Sequence, residues 1–242
     1  MKAIKMTATC LLAIVAIACQ KQSKSTPLTV EPSSVVLYSD GKQQLTANPA
    51  EGVTYASQDE YYAEVDANGL VTGNKVGKTE IVASSSNGTV RIPVTVMPAY
   101  SLYPDLTPLI NSSESAMTDL LGSYSEKSTS EKGETTYLYR DYNTYTAGIM
   151  VSFSNGICTG LCTIISTSHL KKFTNYLIER YTVAGMQNDY YFFLNHNKTV
   201  VISMTLYNYK YMMAVYIPNT GTKSEQIDAN SILESCKGLG LV

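Results

Sequence analysis

Ala63-Glu64-Val65-Asp66-Ala67-Asn68-Gly69-Leu70-Val71-Thr72-Gly73 is the stretch whose reading decides the fold. Two short β-prone runs flank the dipeptide Asn68-Gly69. That dipeptide tolerates positive φ and tightens a hairpin. Val65, Leu70 and Val71 are the apolar side chains offered to a core. Glu64 is expected to point outward, because strand side chains alternate between faces.

Outward from this block the same grammar continues. Asp40-Gly41 and Asn87-Gly88 mark turns, with Gly52 and Gly77 between them. Short β-prone runs fill the gaps at 35–38, 43–47, 53–56, 79–83 and 90–96. In the last run Val90, Ile92, Val94 and Val96 alternate with Arg91, Pro93 and Thr95. A period of two marks a half-buried strand. Pro93 cannot donate to a ladder, which predicts an edge on at least that side. No helical period interrupts residues 28–98, so short strands with frequent turns predict an all-β sandwich there. The segment has no cysteine, so its apolar core alone must hold it.

Three ordered blocks carry a family resemblance. They are Val53-Thr54-Tyr55-Ala56-Ser57-Gln58-Asp59, the stretch quoted first, and Gly77-Lys78-Thr79-Glu80-Ile81-Val82-Ala83. Together they resemble the bacterial Ig-like group 2 family across nearly the whole segment. Tyr55 stands where that family usually has Trp, and Ala63-Glu64-Val65 where it has Ala-Thr-Val. The resemblance implies an Ig-like sandwich. In that family such domains occur in adhesins and in surface proteins as spacers, and a spacer is the reading adopted for residues 28–98.

The N-terminus reads as an address. Lys2 and Lys5 precede an apolar run at 11–18. That run is shorter than the ~20 residues a spanning helix needs. It suits the apolar core of a signal peptide, residues 1–18. The junction Ala16-Ile17-Ala18-Cys19 then turns polar at Gln20-Lys21-Gln22-Ser23-Lys24-Ser25. It resembles a lipobox, with Ala16 where Leu is favoured. The resemblance implies cleavage before Cys19 and acylation of its thiol and amine, palmitate among the acyl chains. Two or three chains anchor firmly where one binds marginally. Gln20 in place of Asp implies the outer membrane and leaves open which face. Residues 19–27 are then a lipidated, flexible tether.

Beyond the sandwich, residues 99–106 read as a linker bracketed by Pro98 and Pro104, and 107–242 as an α+β domain. Thr107-Pro108 predicts a helix start, with Leu109, Ile110, Ala116, Met117, Leu120 and Leu121 approaching helical spacing and Gly122 ending it. Residues 123–133 read as a polar loop. Strands are expected at 135–141, 147–154 and 157–166, the last two joined by Asn155-Gly156. Leu170, Phe173, Tyr176, Leu177 and Tyr181 predict a helix over 168–182 that Gly185 terminates. Strands follow at 190–196, 199–207 and 210–217, then a helix over about 224–236. A helix plus an antiparallel three-strand meander thus occurs twice, which predicts a duplicated unit. The layout resembles the helix-plus-meander units of the β-lactamase-inhibitor-protein-like and outer-membrane-assembly lipoprotein families. That resemblance implies gripping another protein across an antiparallel sheet.

Composition excludes some chemistry. The formal net charge is −2 and only 16% of residues are charged. Phosphate binding needs clustered Lys and Arg, so nucleic acid is not an expected partner. His169 and His196 are the only imidazoles. No zinc-protease helix motif, nucleophile elbow or phosphate loop is present. No cofactor, metal or catalytic activity is expected. The rival is a hydrolase whose paired carboxylates lie far apart in sequence.

Cys158 and Cys162 share strand parity and are expected on one face, about 13 Å apart, too far to bond together. Cys236 can pair with either in an oxidising envelope, or all three can remain buried thiols. Of nineteen Tyr, fifteen lie beyond residue 98. Tyr191, Tyr207, Tyr209 and Tyr211 are the candidate binding face for a protein or glycan, set against ordinary strand composition. The functional expectation is a non-enzymatic, membrane-anchored envelope or surface lipoprotein whose sandwich presents a protein- or glycan-binding α+β domain. The alternative is a structural, assembly or inhibitor lipoprotein facing the periplasm.

Overall fold

A computed structural model describes residues 26–187 and 189–221. The expected signal peptide, the expected lipid site Cys19, Cys236 and the helix expected over 224–236 lie outside the described residues.

The N-terminal domain is a sandwich of nine short strands. These are β1 (Thr29–Glu31), β2 (Val35–Leu37), β3 (Lys42–Gln44), β4 (Thr46–Asn48), β5 (Thr54–Ser57), β6 (Ala63–Val65), β7 (Leu70–Gly73), β8 (Gly77–Ser85) and β9 (Gly88–Val96). One sheet has the order β2-β9-β8-β5 and the other β3-β7-β6, while β1 pairs with β4. Ala63, Val71, Ile81, Ile92 and Val94 meet in the core between them. In β9 the buried Ile92, Val94 and Val96 alternate with exposed Arg91 and Pro93, as the period of two requires. Pro93 sits just beyond the end of the parallel β2 pairing, which begins at Val94. Its missing N–H therefore faces no partner, although β9 as a whole is an inner strand.

The 63–73 hairpin forms as read. Gly69 holds φ +82°. Asp66 Oδ1 accepts N–H bonds from Asn68 and Leu70, both at 2.8 Å. Gly69 passes directly over the Tyr55 ring: a Cβ there would lie 2.9 Å from its Cζ. Both the backbone angle and the aromatic neighbour demand glycine.

Among the described residues the second domain is one antiparallel sheet of eight strands carrying two helices on one face. Its elements are α1 (Glu114–Leu121), β10 (Glu126–Thr129), β11 (Thr135–Arg140), β12 (Thr146–Ser154), β13 (Ile157–Ser166), α2 (Leu170–Ile178), β14 (Thr182–Gln187), β15 (Tyr190–Leu194), β16 (Val200–Leu206) and β17 (Tyr211–Pro218). The strand order β10-β11-β12-β13-β17-β16-β15-β14 is symmetric about the central β13–β17 pair. Each half is a helix followed by a meander, so the repeated organisation is present in the element order. The meander has four strands where three were expected.

Several local expectations need correction. β10 lies inside the stretch read as a polar loop. Helix α2 stops at Ile178, short of residue 182, so β14 can begin at Thr182. Gly185 does not cap a helix; it sits at a register shift within β14. Thr107-Pro108 opens only a 3-10 turn, Thr107–Leu109, and the chain reverses through Asn111 at φ +65° before α1 starts. Gly122 does end α1, at φ +78°. Residues 99–106 are no loose spacer, because Leu102, Tyr103 and Leu106 are buried in the core beneath the helices.

The parity of the two cysteines is also corrected. Opposite β12, Ser152 pairs with Gly160 but Phe153 with Cys158, so Thr159 is an extra residue on β13. A bulge of one residue transfers the following side chains to the other face. Cys158 therefore packs in the core under the helices, and Cys162 packs with Met150 and Ile164 on the opposite face.

Replacing Gly69 by Ala should lower the stability of the N-terminal domain by roughly 1–3 kcal/mol, the usual cost of forcing a side chain into such a backbone region. Chemical denaturation followed by circular dichroism reads this directly. An unchanged midpoint would refute the account of the turn.

Candidate functional site at the domain junction

Helix α2 ends with Glu179 and Arg180, and these two residues organise the junction. A helix leaves its last carbonyls without partners inside the helix. Here the N-terminal domain supplies partners. Lys75 Nζ donates to the Ile178 carbonyl at 2.7 Å, the Val76 N–H donates to the Glu179 carbonyl at 2.7 Å, and the Tyr61 hydroxyl donates to the Arg180 carbonyl at 2.6 Å.

The side chains complete the joint. The Glu179 carboxylate accepts the Ala99 N–H at 3.0 Å and the Tyr100 N–H at 3.2 Å, which fixes the segment between the domains. Its neighbour Arg180 pairs with it and donates to the carbonyls of Tyr100 and Tyr176. The Arg180 guanidinium also lies 3.9 Å from the centre of the Tyr176 ring. The pair is nearly shut off from water, Glu179 being only 5% exposed. Buried charges are tolerable only when paired and hydrogen-bonded, and these are both.

Beside this joint a cleft of about 260 Å³ opens between the domains. Tyr61, Tyr62 and Val76 form one wall, and Asp105, Thr107, Tyr181 and the 195–197 loop form the other. His196 reaches across: its Nε2 lies 2.8 Å from Asp59 Oδ2. The contact becomes an ion pair when the imidazole is protonated. The imidazole stacks against Tyr61 with ring centres 4.2 Å apart, and lies 5.3 Å from the Tyr62 ring.

Burial pushes the Tyr61 phenol up to about 12 and raises that of Tyr62. Both hydroxyls thus stay neutral and able to donate at any ordinary pH. Asp105 Oδ1 accepts from the Tyr181 hydroxyl at 2.7 Å and from the Thr107 N–H at 2.9 Å. Asn195 and Asn197 brace each other at 2.7 Å within their turn. The cleft therefore offers fixed carboxylate, amide and phenol groups beside aromatic faces. That combination is of the kind that can orient a small polar ligand. Among the described residues the hydrogen-bond partner of His196 is Asp59, and no group of three or more metal-binding side chains assembles. No helix among the described residues is long and apolar enough to cross a membrane.

The four Tyr read as a binding face do not share one. Tyr191 lies opposite Met204 and so stands on the helix-bearing face. Tyr207 and Tyr211 pack on the reverse face, and Tyr209 is 92% exposed at the turn between β16 and β17. The strand period of two and the turn divide them. Tyr61, Tyr62, Asp105 and His196 were not singled out as site residues. Their separation in sequence hides them, since Asp59 and His196 meet only through the docking of two domains.

Residues 24–96 match the family of the bacterial Ig-like domain (group 2). The N-terminal sandwich is that domain. No curated protein matches the chain. Among solved structures, an intimin mutant from EHEC O157:H7 aligns at 17% identity over 55% of this chain and 90% of its own, with a TM-score of 0.25. Domains 5–6 of the S-layer protein SbsC align at 16% identity over 82% and 86%, TM-score 0.25. A cysteine-rich secretory protein from Staphylococcus aureus aligns at 10% over 50% and 48%, TM-score 0.29.

Removing one partner of a buried ion pair strands the other. Glu179→Ala should cost about 3–5 kcal/mol and open the backbone around Ala99 and Tyr100 to protease. Limited proteolysis with mapped cleavage sites checks both the place and the direction. A variant as resistant as the parent would refute the role assigned to Glu179.

Proposed function

We propose that this chain is a membrane-tethered bacterial envelope protein of binding rather than catalytic character. In this reading Cys19 carries the lipid, the Ig-like domain acts as a rigid arm, and the junction cleft takes a small polar ligand of the saccharide type. One observation carries the reading: both domains contribute fixed polar and aromatic groups to one cleft, and the α2 joint holds them in register. Pockets for small ligands favour such domain interfaces. The volume falls below the ~300 Å³ lower end for drug-sized ligands, which suits one sugar ring better than a long chain. Phenol and imidazole rings offer apolar faces to a ring, and the carboxylate and amides offer partners for hydroxyls.

A second reading rests on β14. This edge strand is fully exposed and carries apolar Val183 and Met186 beside Tyr191. An uncovered edge of that kind is a template for an added strand from another protein. It would serve the assembly or inhibitor role.

The test uses the purified mature protein on a glycan array, followed by titration calorimetry with any hit. The expected result is saturable binding that His196→Ala weakens at least tenfold. Binding that survives this change and also Asn195→Ala would remove the cleft from consideration. Pull-down of a single envelope protein, lost on placing charge at Val183, would favour the strand-addition reading instead.

The anchor is tested separately. The chain expressed in a bacterium should incorporate labelled fatty acid and partition into detergent, and Cys19→Ser should abolish both. Undiminished labelling of Cys19→Ser would overturn the anchor assignment.

A further inference from the structure

We propose that the end of the second domain farthest from the Ig-like domain is a lipid-docking surface, built from two neighbouring hairpin ends and the start of α2.

The strand order brings these segments together. In the meander of β14 to β17, the β14–β15 and β16–β17 connections lie at one end of the sheet and the 195–199 turn at the other. The 195–199 turn meets the Ig-like domain through His196, and the last residues of α2 meet it beside that turn. The opposite end is about 24 Å away, the length of the seven-residue β16. The start of α2 is held there: the Thr167 hydroxyl donates to the Tyr209 carbonyl at 3.0 Å and the Thr167 N–H to the Lys210 carbonyl at 2.9 Å. The Thr205 hydroxyl donates to the Asp189 carbonyl at 3.3 Å and ties one hairpin to the other.

This pole holds large apolar side chains in water. Leu206, Tyr209 and Met186 are 59%, 92% and 64% exposed, and Leu170 and Tyr191 are also exposed. Met186 lies opposite Tyr191, Tyr191 opposite Met204, and Leu206 opposite Met212, so Met186, Tyr191 and Leu206 share the helix-bearing face. A group of exposed apolar side chains marks an interaction site. Lys171, Lys172 and Lys210 stand around them, with Lys172 Nζ 3.4 Å from the centre of the Tyr145 ring. Asp141 and Asp189 are the acids on the same segments, so three ammonium groups face two carboxylates.

Disposition and charge select the occupant. The apolar groups stand on three separate chain segments with lysines between them. A protein partner needs a close-packed core at its contact, whereas a headgroup layer accepts dispersed apolar side chains without matching their shape. Tyr suits that layer, its ring apolar and its tip polar. Lysine lays its stem on apolar surface while its ammonium reaches lipid phosphate. The Ig-like domain leaves the pole free, and its own first residues lie elsewhere. The Leu28 N–H bonds the Asn87 carbonyl at the turn between β8 and β9, whereas β8 begins and β9 ends beside the joint. In the anchored reading, the tether therefore departs from the far end of the Ig-like domain, and the lipid surface met here is a second one.

The chain contains no Trp, so Tyr209→Trp reports this place alone. The test uses the chain from residue 19 with Cys19→Ser, so that no acyl group contributes, and vesicles of phosphatidylethanolamine and phosphatidylglycerol. Tyr209→Trp should sediment with the vesicles and shift its emission to the blue, while Tyr38→Trp, exposed on the Ig-like domain, should sediment without a shift. Adding Met186→Ser and Leu206→Ser to Tyr209→Trp should weaken vesicle binding at least tenfold and leave thermal unfolding unchanged, because both side chains are exposed. A parent chain that stays in the supernatant would overturn the proposal. So would sedimentation of Tyr209→Trp without the emission shift, or undiminished binding by the variant carrying both serines.

Discussion

The end of α2 is the constraint on which the arrangement of this protein depends. Three successive carbonyls there, of Ile178, Glu179 and Arg180, are satisfied by Lys75, Val76 and Tyr61 of the other domain. Such groups ordinarily turn to water or to a glycine cap. Here the chain continues directly into β14, with Glu179 buried and only three residues between helix and strand. The Ig-like domain thus completes the hydrogen bonding of its neighbour's helix end. Loss of the joint would leave a buried carboxylate, a guanidinium and helix carbonyls competing for too few partners.

That constraint distinguishes the pair from beads on a flexible string. Contacts between domains of one chain are usually polar and permissive of motion. This one is polar too, but its central Glu179–Arg180 pair is nearly buried and specifically bonded. Glu179 holds the connecting backbone by two N–H groups, and Arg180 holds it by the Tyr100 carbonyl. Hinge motion at Ala99–Tyr100 would break charge-assisted bonds to the buried Glu179–Arg180 pair. The cleft beside the joint keeps its shape for the same reason.

The legible part of the fold was the part written in local chemistry. Asn68-Gly69 specifies its hairpin because positive φ is a one-residue property. The 90–96 alternation specifies its strand because one face is buried. β10 and β14 were illegible because all their residues are exposed, and a strand with no buried face has no period to read. Thr107-Pro108 mimicked a helix start because a 3-10 turn begins with the same preferences. The face of Cys158 depends on the extra residue at Thr159, and a bulge is set by the pairing of two strands rather than by either alone. The cleft was hidden more deeply: Asp59 and His196 are 137 residues apart, and only the α2 joint brings them to 2.8 Å.

The element-order symmetry sharpens the point. The two helix-plus-meander halves are matched in strand order, and the second half carries hydrogen bonds to the Ig-like domain. α1 ends on Gly122, a residue that closes a helix by backbone geometry alone, with its N–H on the Thr118 carbonyl. α2 closes with the equivalent bond, Glu179 N–H to the Asn175 carbonyl, but its last carbonyls go to the Ig-like domain. The edges diverge in the same sense. β10 carries Glu126 paired to Arg140, and Lys127 set over Tyr137, the charged dressing that discourages strand addition. β14 carries Val183 and Met186 instead. The two halves thus differ at their helix ends and at their edge strands.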